Sequence, residues 1–266
     1  MDTLEPPRRG PLPKAWLDAE RRFIVRLAQP PRATVVLLGL LIAIHVLGGV
    51  LVPSDSGTWQ RIFGLRPAEI MVALGARDGA LVAEGEVWRL VSSGFLHWDV
   101  AHLFMNGLAL WGLGRLCEVV FGPVRFFWLF LLCVIGGNVL SQTAHVEIVS
   151  AGASGGVFGL LGALVAFGLS RRASLSPPLR EVFTKQLFPW ILLNLGIGIL
   201  LPFIDNRAHI GGLVTGAVVA LVLGDSLTDD HRPWPWATVA MALAFGLAVG
   251  WAGSMVAFHA GFGAAP

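Results

Sequence analysis

The sequence predicts an all-α membrane protein, a helix bundle that crosses a bilayer several times. Of its 266 residues, 55% are hydrophobic and only 14% are charged, whereas a soluble domain has about 25% charged residues. The mean hydropathy of +0.71 agrees with this interpretation, and uncharged runs recur along the whole chain. This pattern excludes a disordered chain, a collagen, an ordinary soluble enzyme and a secreted domain behind a signal peptide.

The positions of the charged residues divide the chain into seven predicted spans. A charged side chain at a helix centre costs about 2.5–3.5 kcal/mol on insertion scales, so a long uncharged run indicates a membrane helix. Crossing the hydrocarbon core takes about 20 residues. The predicted spans are 33–54, about 95–115, 126–146, 148–170, 186–204, 208–224 and 235–258.

Two segments outside the spans are expected to carry structure of their own. The stretch from Lys14 to Leu27 fits a short amphipathic helix on the membrane surface. Residues 55–90 mix charges with large apolar side chains, which predicts a long, partly helical loop at the interface. The predicted organisation is a basic N-terminal tail (1–32), a core (33–225) and a connector with an additional C-terminal span (226–266).

Basic residues predict the orientation and the membrane. With the N-terminus in the cytoplasm, fourteen of the nineteen Lys and Arg residues lie on the cytoplasmic side, as the positive-inside rule requires. Arginine is strongly preferred over lysine and the tail does not look like a transit peptide, so we expect a bacterial inner membrane. A eukaryotic secretory-pathway membrane is the alternative. The net charge of +2 is too small to suggest binding to nucleic acid.

The span at 148–170 opens with a serine between glycines, in the segment Gly152-Ala153-Ser154-Gly155-Gly156. One interpretation is close helix packing through small residues. The other is a nucleophile at a helix start, where the serine N–H lies at the positive end of the helix and would help to stabilise an oxyanion. This segment alone leaves both interpretations open.

The span at 208–224 opens with a histidine, in the segment Ala208-His209-Ile210-Gly211-Gly212. A histidine in an apolar span is costly unless it has a partner. Gly212 and Gly216 lie on nearly the same helix face as His209, so the glycines of the serine span can approach them closely. That packing would bring His209 to Ser154, as in base-activated nucleophilic catalysis. A structural His–Ser hydrogen bond is the alternative.

The span at about 95–115 supplies two further polar side chains on one helix face. His102 and Asn106 are four residues apart, and both can donate hydrogen bonds. Two donors that converge above a serine would form an oxyanion hole. The alternative is a polar network that holds helices together.

Together these segments resemble the rhomboid intramembrane serine proteases. The resemblance runs from about residue 34 to residue 225, and five modest motifs in the family's order make it specific. They are the pair Trp88-Arg89 in the first outer loop, the pattern His97-x4-His102-x3-Asn106, Glu118 at the family's interval after Asn106, Gly152-Ala153-Ser154-Gly155, and Ala208-His209-Ile210-Gly211-Gly212.

The resemblance implies a six-helix core, extended here by a seventh transmembrane helix, with a water-filled cavity open to the outside. Ser154 would be the nucleophile and His209 the general base and acid, a dyad without a carboxylate. His102, Asn106 and the Ser154 N–H would form the oxyanion hole. Single-span membrane proteins would be the substrates, and no metal or cofactor is required. The supporting residues would be Trp88, Arg89 (bracing the loop), His97, Glu118, Gly152, Phe158 and Gly212.

Two positions near the dyad need comment. The family often has a tyrosine four residues after the serine, stacked on the histidine, and this chain has Phe158. Phenylalanine keeps the ring and loses the hydroxyl, so we expect activity to be retained. Asp205 lies four residues before His209 in a short outer loop, and we do not expect it to complete a triad, because the resembling proteases work without one.

The competing functions are weaker. A rhomboid-like pseudoprotease binds membrane helices without cleaving them, but such proteins usually lack the serine or the histidine, and both are present here. A transporter or channel would need charged residues along a path at mid-bilayer, and the spans lack them. A metal-dependent intramembrane protease would need a His-Glu-x-x-His helix, which the sequence does not contain.

Overall fold

The computed structural model describes residues 12–51, 57–143, 148–201 and 203–228, and these ranges are predominantly helical. No β-strand occurs within them, and their one β-like contact is an isolated antiparallel bridge between Arg77 and Ser150. The helices are α1 (Lys14–Leu27), α2 (Arg32–Leu51), α3 (Thr58–Phe63), α4 (Ala68–Leu74), α5 (Gly79–Ala83), α6 (Arg89–Ser92), α7 (Val100–Phe121), α8 (Pro123–Gln142), α9 (Ser154–Ser170), α10 (Pro177–Phe183), α11 (Phe188–Leu200) and α12 (Asn206–Leu223).

Several of these helices are long and apolar enough to cross a membrane. They are α2, α7, α8, α12 and the continuous stretch Pro177–Leu200, which comprises α10 and α11. Helix α9 is apolar but shorter, with 17 residues, which corresponds to about 26 Å. The chain is therefore an integral membrane protein, and the predicted all-α polytopic bundle is confirmed. The predicted seventh span at 235–258 lies outside the described residues.

The helix predicted for Lys14–Leu27 is present as α1, and it lies against one end of the bundle. Arg26 Nη1 donates hydrogen bonds to the carbonyl of Val119 at 3.0 Å and to Ser226 Oγ at 2.7 Å. Trp16 Nε1 donates to the carbonyl of Ala173 at 2.9 Å. These contacts join α1 to the end of α7 and to the loop after α9.

The long loop between α2 and α7 is partly helical, as predicted, and buried arginines fix its path. Arg66 is 2% exposed, and its guanidinium donates to the carbonyls of Arg61, His45 and His97. Each of its three nitrogens thereby finds a backbone acceptor, which a charged group in an apolar surrounding requires. The loop is thus a packed part of the fold.

Helix α9 packs against both α8 and α12, and at two glycine positions its backbone approaches that of α12 directly. A Cβ added at Gly212 would lie 2.0 Å from the carbonyl oxygen of Gly155, and one at Gly216 would lie 1.9 Å from that of Gly159. Only glycine allows two helix backbones to approach this closely. The close approach predicted from these glycines is therefore present, and it determines where the first turns of α9 and α12 meet.

Candidate active site

The first turns of α9 and α12 bring Ser154 and His209 into contact. Ser154 is the first residue of α9, and His209 is the fourth residue of α12. His209 Nε2 lies 2.9 Å from Ser154 Oγ, within the range for proton transfer between a nucleophile and its base. If the serine hydroxyl donates this hydrogen bond, His209 is neutral at Nε2 and carries its proton on Nδ1. The two residues predicted as a dyad are therefore neighbours.

An aromatic ring fixes the orientation of the histidine. Phe158 lies one turn after Ser154 on α9, and its ring stacks on the His209 imidazole with the centroids 4.1 Å apart and the planes at 12°. Both side chains are buried. Phenylalanine thus occupies the stacking position expected for a tyrosine.

Asp205 does not reach the histidine ring. His209 Nδ1 has no hydrogen-bond partner in the described part of the chain. The Asp205 carboxylate instead accepts hydrogen bonds from the backbone N–H of Ala208 at 3.0 Å and from Ser141 Oγ at 2.6 Å. This geometry agrees with the expectation that Asp205 does not complete a triad.

The environment of Asp205 favours its charged form. Burial alone would raise the pKa of this carboxyl, but hydrogen bonds from Ser141, Ala208 and Ser150 and the nearby Arg77 guanidinium outweigh burial and lower the pKa. Asp205 is therefore a carboxylate at neutral pH, held at the N-terminus of α12, where a negative charge also interacts favourably with the helix dipole.

Gly152 brings His102 beside the serine. It has a φ of +142°, and a Cβ at this position would lie 2.8 Å from His102 Cε1, 2.9 Å from His102 Nε2 and 3.7 Å from Ser154 Oγ. The His102 ring therefore lies against Gly152, on the side where a Cβ would also be near Ser154 Oγ. A side chain at Gly152 would occupy this space.

Asn106 and His97 flank His102. The Asn106 side chain is buried and donates through Nδ2 to the carbonyl of His102 at 3.1 Å. A primary amide has two N–H groups, so this bond uses one of them. His97 Nε2 accepts from the backbone N–H of Ala153 at 3.4 Å, and its ring meets that of His102 edge-on at 5.1 Å. His97 thus supports the residue that precedes Ser154.

Trp88 and Arg89 hold the outer loop together. The Arg89 guanidinium lies 4.6 Å from the centre of the Trp88 ring. Its Nη1 donates to the carbonyls of Val72 at 2.6 Å and Ala76 at 3.0 Å, and its Nε donates to Glu86. These partners lie within the loop, in agreement with the bracing expected of Arg89.

Glu118 lies away from the dyad, toward the other end of α7. Its carboxylate accepts from the N–H of Ala33 at 3.1 Å and from the N–H and hydroxyl of Thr34 at 2.5 and 2.6 Å. Sixteen residues of helix separate it from His102, which corresponds to about 24 Å. Glu118 therefore joins α7 to the start of α2. Gly212, by contrast, lies at the α9–α12 contact described above.

The structure adds one residue that sequence reasoning missed. Arg77 is fully buried, with Nη2 3.5 Å from Asp205 Oδ2 and Nη1 donating to Gln142 Oε1 at 3.1 Å. In the sequence, Arg77 is one of several charged residues in the loop 55–90, and nothing there singles it out.

In the described ranges, no three His, Cys, Asp or Glu side chains are grouped so as to hold a metal ion.

Comparison with known proteins identifies relatives of this chain. Residues 84–226 match the sequence model of the Rhomboid domain. The chain is 39% identical over 185 residues to Rhomboid protease GluP of Bacillus subtilis (strain 168), covering 70% of this chain and 34% of the relative. It is 39% identical over 162 residues to RHOMBOID-like protein 4 of Arabidopsis thaliana, covering 60% and 40%. It is 31% identical over 180 residues to Rhomboid-like protease 1 of Toxoplasma gondii, covering 65% and 59%.

The aligned parts amount to between about a third and three fifths of the length of these relatives. The Rhomboid domain match covers more than half of this chain, and it includes every predicted site residue from Trp88 to Gly212. Two of the three relatives are named as proteases. This chain, an integral membrane protein, belongs to the rhomboid family of intramembrane proteases.

Proposed function

We propose that this chain is a serine endopeptidase that cleaves single-span membrane proteins near the outer membrane face. The observation that carries the proposal is the 2.9 Å contact between His209 Nε2 and Ser154 Oγ. The contact joins the starts of two apolar helices, where polar residues are costly and most often functional. A serine beside an imidazole nitrogen, with the ring held by a third group, is the arrangement of an activated nucleophile.

The proposed reaction is acyl transfer followed by hydrolysis. His209 Nε2 accepts the Ser154 hydroxyl proton as Oγ attacks the substrate carbonyl carbon. The tetrahedral intermediate collapses, and His209 donates the proton to the leaving amine as the C–N bond breaks. Water then gives its proton to His209 and attacks the acyl-enzyme, and the proton returns to Ser154 as the carboxylic acid leaves.

The developing oxyanion needs hydrogen-bond donors beside the serine. In our proposal these are the Ser154 N–H at the start of α9, the His102 ring and the Asn106 amide. The support is positional, because His102 lies against Gly152, two residues before Ser154, and Asn106 follows one turn later on α7. Donors fixed before the reaction stabilise the transition state without reorganisation.

The length of α9 supports cleavage below the outer surface. A helix of about 26 Å is shorter than the hydrocarbon core of about 30 Å, so its first residue can lie beneath the membrane face with water entering from outside. A substrate helix must unwind before its peptide bond is accessible, and weak helix formers such as glycine would ease this step.

The membrane and the domain organisation form the rest of the proposal. The excess of basic residues at the cytoplasmic ends of the spans supports an N-terminus in the cytoplasm, and arginine usage supports a bacterial inner membrane. In this arrangement residues 33–225 form the six-helix protease core, and 226–266 add the connector and the seventh span. The relatives come from a bacterium, a plant and a parasite.

The test is reconstituted cleavage with a matched serine control. The full chain is placed in liposomes with a generic single-span substrate, and a fluorophosphonate probe is applied in parallel. Ser170→Ala is the control, because Ser170 ends the same helix and bonds only to the carbonyl of Phe167 at 3.2 Å among the contacts described. We expect cleavage and labelling in the wild type and Ser170→Ala, and neither in Ser154→Ala.

The opposite result would favour the pseudoprotease. A wild-type chain that binds several helix-destabilised substrates, cleaves none of them and takes up no probe would be a helix-binding protein. The proposal would then be wrong, although the fold and the family would stand.

Replacing Phe158 by leucine is expected to lower cleavage about tenfold, because a stacked aromatic pair contributes about 0.5–1.5 kcal/mol and its loss frees the His209 ring. Phe158→Tyr keeps the ring, so it is expected to cleave at close to the wild-type rate. The measurement is kcat at saturating substrate, with thermal unfolding as a check on the fold. A leucine variant as fast as the wild type would contradict the stacking role.

A further inference from the structure

We infer that Arg77 and Asp205 form a brace that positions Ser154 and His209 for catalysis. The brace consists of the Arg77–Asp205 ion pair and the backbone and side-chain contacts that each residue makes. Neither residue touches the reacting atoms, so both are positioning residues. The inference rests on the proposed function and extends it to a part of the loop that lies outside the predicted motifs.

The backbone of Arg77 holds the segment that leads into the serine helix. Its N–H donates to the carbonyl of Ser150 at 2.9 Å, and its carbonyl accepts from the N–H of Ser150 at 2.8 Å. Two residues later, the N–H of Gly152 donates to the carbonyl of Ser93 at 2.9 Å. The approach to Ser154 is therefore held at both Ser150 and Gly152 by the outer loop.

The side chain of Arg77 holds the start of the histidine helix. Its Nη2 lies 3.5 Å from Asp205 Oδ2, and Asp205 caps α12 by accepting from the N–H of Ala208 at 3.0 Å. The carbonyl of Asp205 also accepts from the N–H of His209 at 3.2 Å. A shift of Asp205 therefore moves the first turn of α12, which carries His209.

The end of α8 completes the brace. Ser141 Oγ donates to Asp205 Oδ2 at 2.6 Å, and Gln142 Oε1 accepts from Arg77 Nη1 at 3.1 Å. Arg77 thus joins the segment before α9, the start of α12 and the end of α8 through one side chain and one pair of backbone bonds. Its side chain is fully buried, whereas that of Asp205 is 18% exposed.

This network can hold Ser154 and His209 in position, but it does not take part in proton transfer. His209 Nδ1 has no hydrogen-bond partner among the described residues, so Asp205 does not orient the ring directly. Apolar side chains often replace a buried ion pair without loss of stability. Stabilisation of the fold alone therefore does not explain why a charged pair occurs at this place. A misplacement of about 1 Å at a reacting centre can lower a rate about 10²-fold.

The test is Asp205→Asn, with Asp225→Asn as its matched control. Asparagine keeps an oxygen that can cap α12 but removes the charge that faces Arg77. Asp225 is also a buried carboxylate, 2.8 Å from Arg171 Nε, and it lies at the other end of α9 and α12. We expect Asp205→Asn to lower kcat and the fluorophosphonate labelling rate about 10–100-fold, with KM within about threefold, and Asp225→Asn to change neither rate.

Both rates are measured per folded molecule, well below each variant's unfolding temperature. A merely structural role would lower that temperature and leave the labelling rate of the folded fraction unchanged, and that result would overturn the brace. Arg77→Lys, which keeps the charge, is expected to recover part of the labelling lost in Arg77→Gln. Equal wild-type rates in these two Arg77 variants would also overturn it.

A double variant covers the case in which the single variants do not fold. Arg77→Met combined with Asp205→Asn leaves neither charge of this pair unpaired. The labelling rate of the folded double variant therefore reflects the positions of Ser154 and His209. A low labelling rate supports the brace, and a wild-type rate overturns it. Failure of the proposed function would look different, because the wild type itself would then neither cleave nor take up the probe.

Discussion

Cleavage is expected to fall by about the same factor in Ser154→Ala, in His209→Ala and in the variant that carries both changes. The two side chains share one hydrogen bond, 2.9 Å long, and act in one proton transfer, so removing either removes the whole step. In serine proteases such a loss is on the order of 10⁶ in kcat, and the losses are strongly non-additive. We expect each variant here to lose at least about 10³-fold.

The measurement is single-turnover cleavage in liposomes at high enzyme concentration, which keeps slow residual rates visible. His45→Gln is the control for a buried histidine, because His45 Nε2 lies 2.9 Å from the carbonyl of Ile62 and no bond from its side chain to Ser154 or His209 is described. If His209→Ala kept a tenth of the wild-type rate, or if the double variant multiplied the two single losses, the two residues would not act as a unit.

The contact between these two residues was predictable because the sequence encodes it locally. Gly212 and Gly216 follow His209 at helical spacing, and Gly155 and Gly159 follow Ser154. A face without side chains on each helix leaves the backbones free to touch, as the 2.0 Å approach at Gly212 illustrates. Once the helices meet there, the serine and the histidine have little freedom to lie elsewhere.

The limits of the spans were predicted less well than their existence. The charge pattern places the second span from about residue 95, but α7 begins at Val100, because Asp99 caps it by accepting from the N–H of His102 at 2.7 Å. The fourth span was predicted from 148, but α9 begins at Ser154. The preceding segment is held by the bridge to Arg77 and by Gly152, which is not helical. Apolar content does not distinguish a helix from an extended segment packed beside it.

The brace could not be predicted at all. Arg77 and Asp205 lie in different loops far apart in the sequence, and no spacing rule pairs two such charges. The rule that assigns charges to the membrane surface places both residues outside the predicted spans, and in the structure both lie in the connections between the long apolar helices. It gives no sign that the Arg77 guanidinium is fully buried, because that burial depends on tertiary contacts such as those with Gln142 and Asp205.

Replacing Gly152 by alanine is expected to lower cleavage by more than about 10²-fold while the bundle stays folded. The φ of +142° is unfavourable for any residue with a Cβ, and that Cβ would meet the His102 ring at 2.8 and 2.9 Å. Either the ring or the backbone before Ser154 has to move. Both movements change the distance between the serine and a donor of the proposed oxyanion hole, and removing one such donor typically costs 10²–10³-fold.

Gly85→Ala separates backbone strain from the contact with His102. Gly85 has a comparable positive φ of +112°, but a Cβ there would have no atom within 4 Å. Gly85→Ala is therefore expected to lower the unfolding temperature slightly and to leave kcat unchanged. Gly152→Ala is expected to lower kcat by far more than its own effect on unfolding explains.

A second comparison tests whether the lower cleavage of Gly152→Ala comes from displacement of the His102 ring. If the alanine at 152 acts by displacing His102, adding it to His102→Ala should cause little further loss, because the donor is already gone. A Gly152→Ala variant that cleaves within threefold of the wild type would show that the ring can move without cost. The oxyanion would then depend on the Ser154 N–H and Asn106, and His102 would have to be assigned to the packing of α7 against the loop before α9.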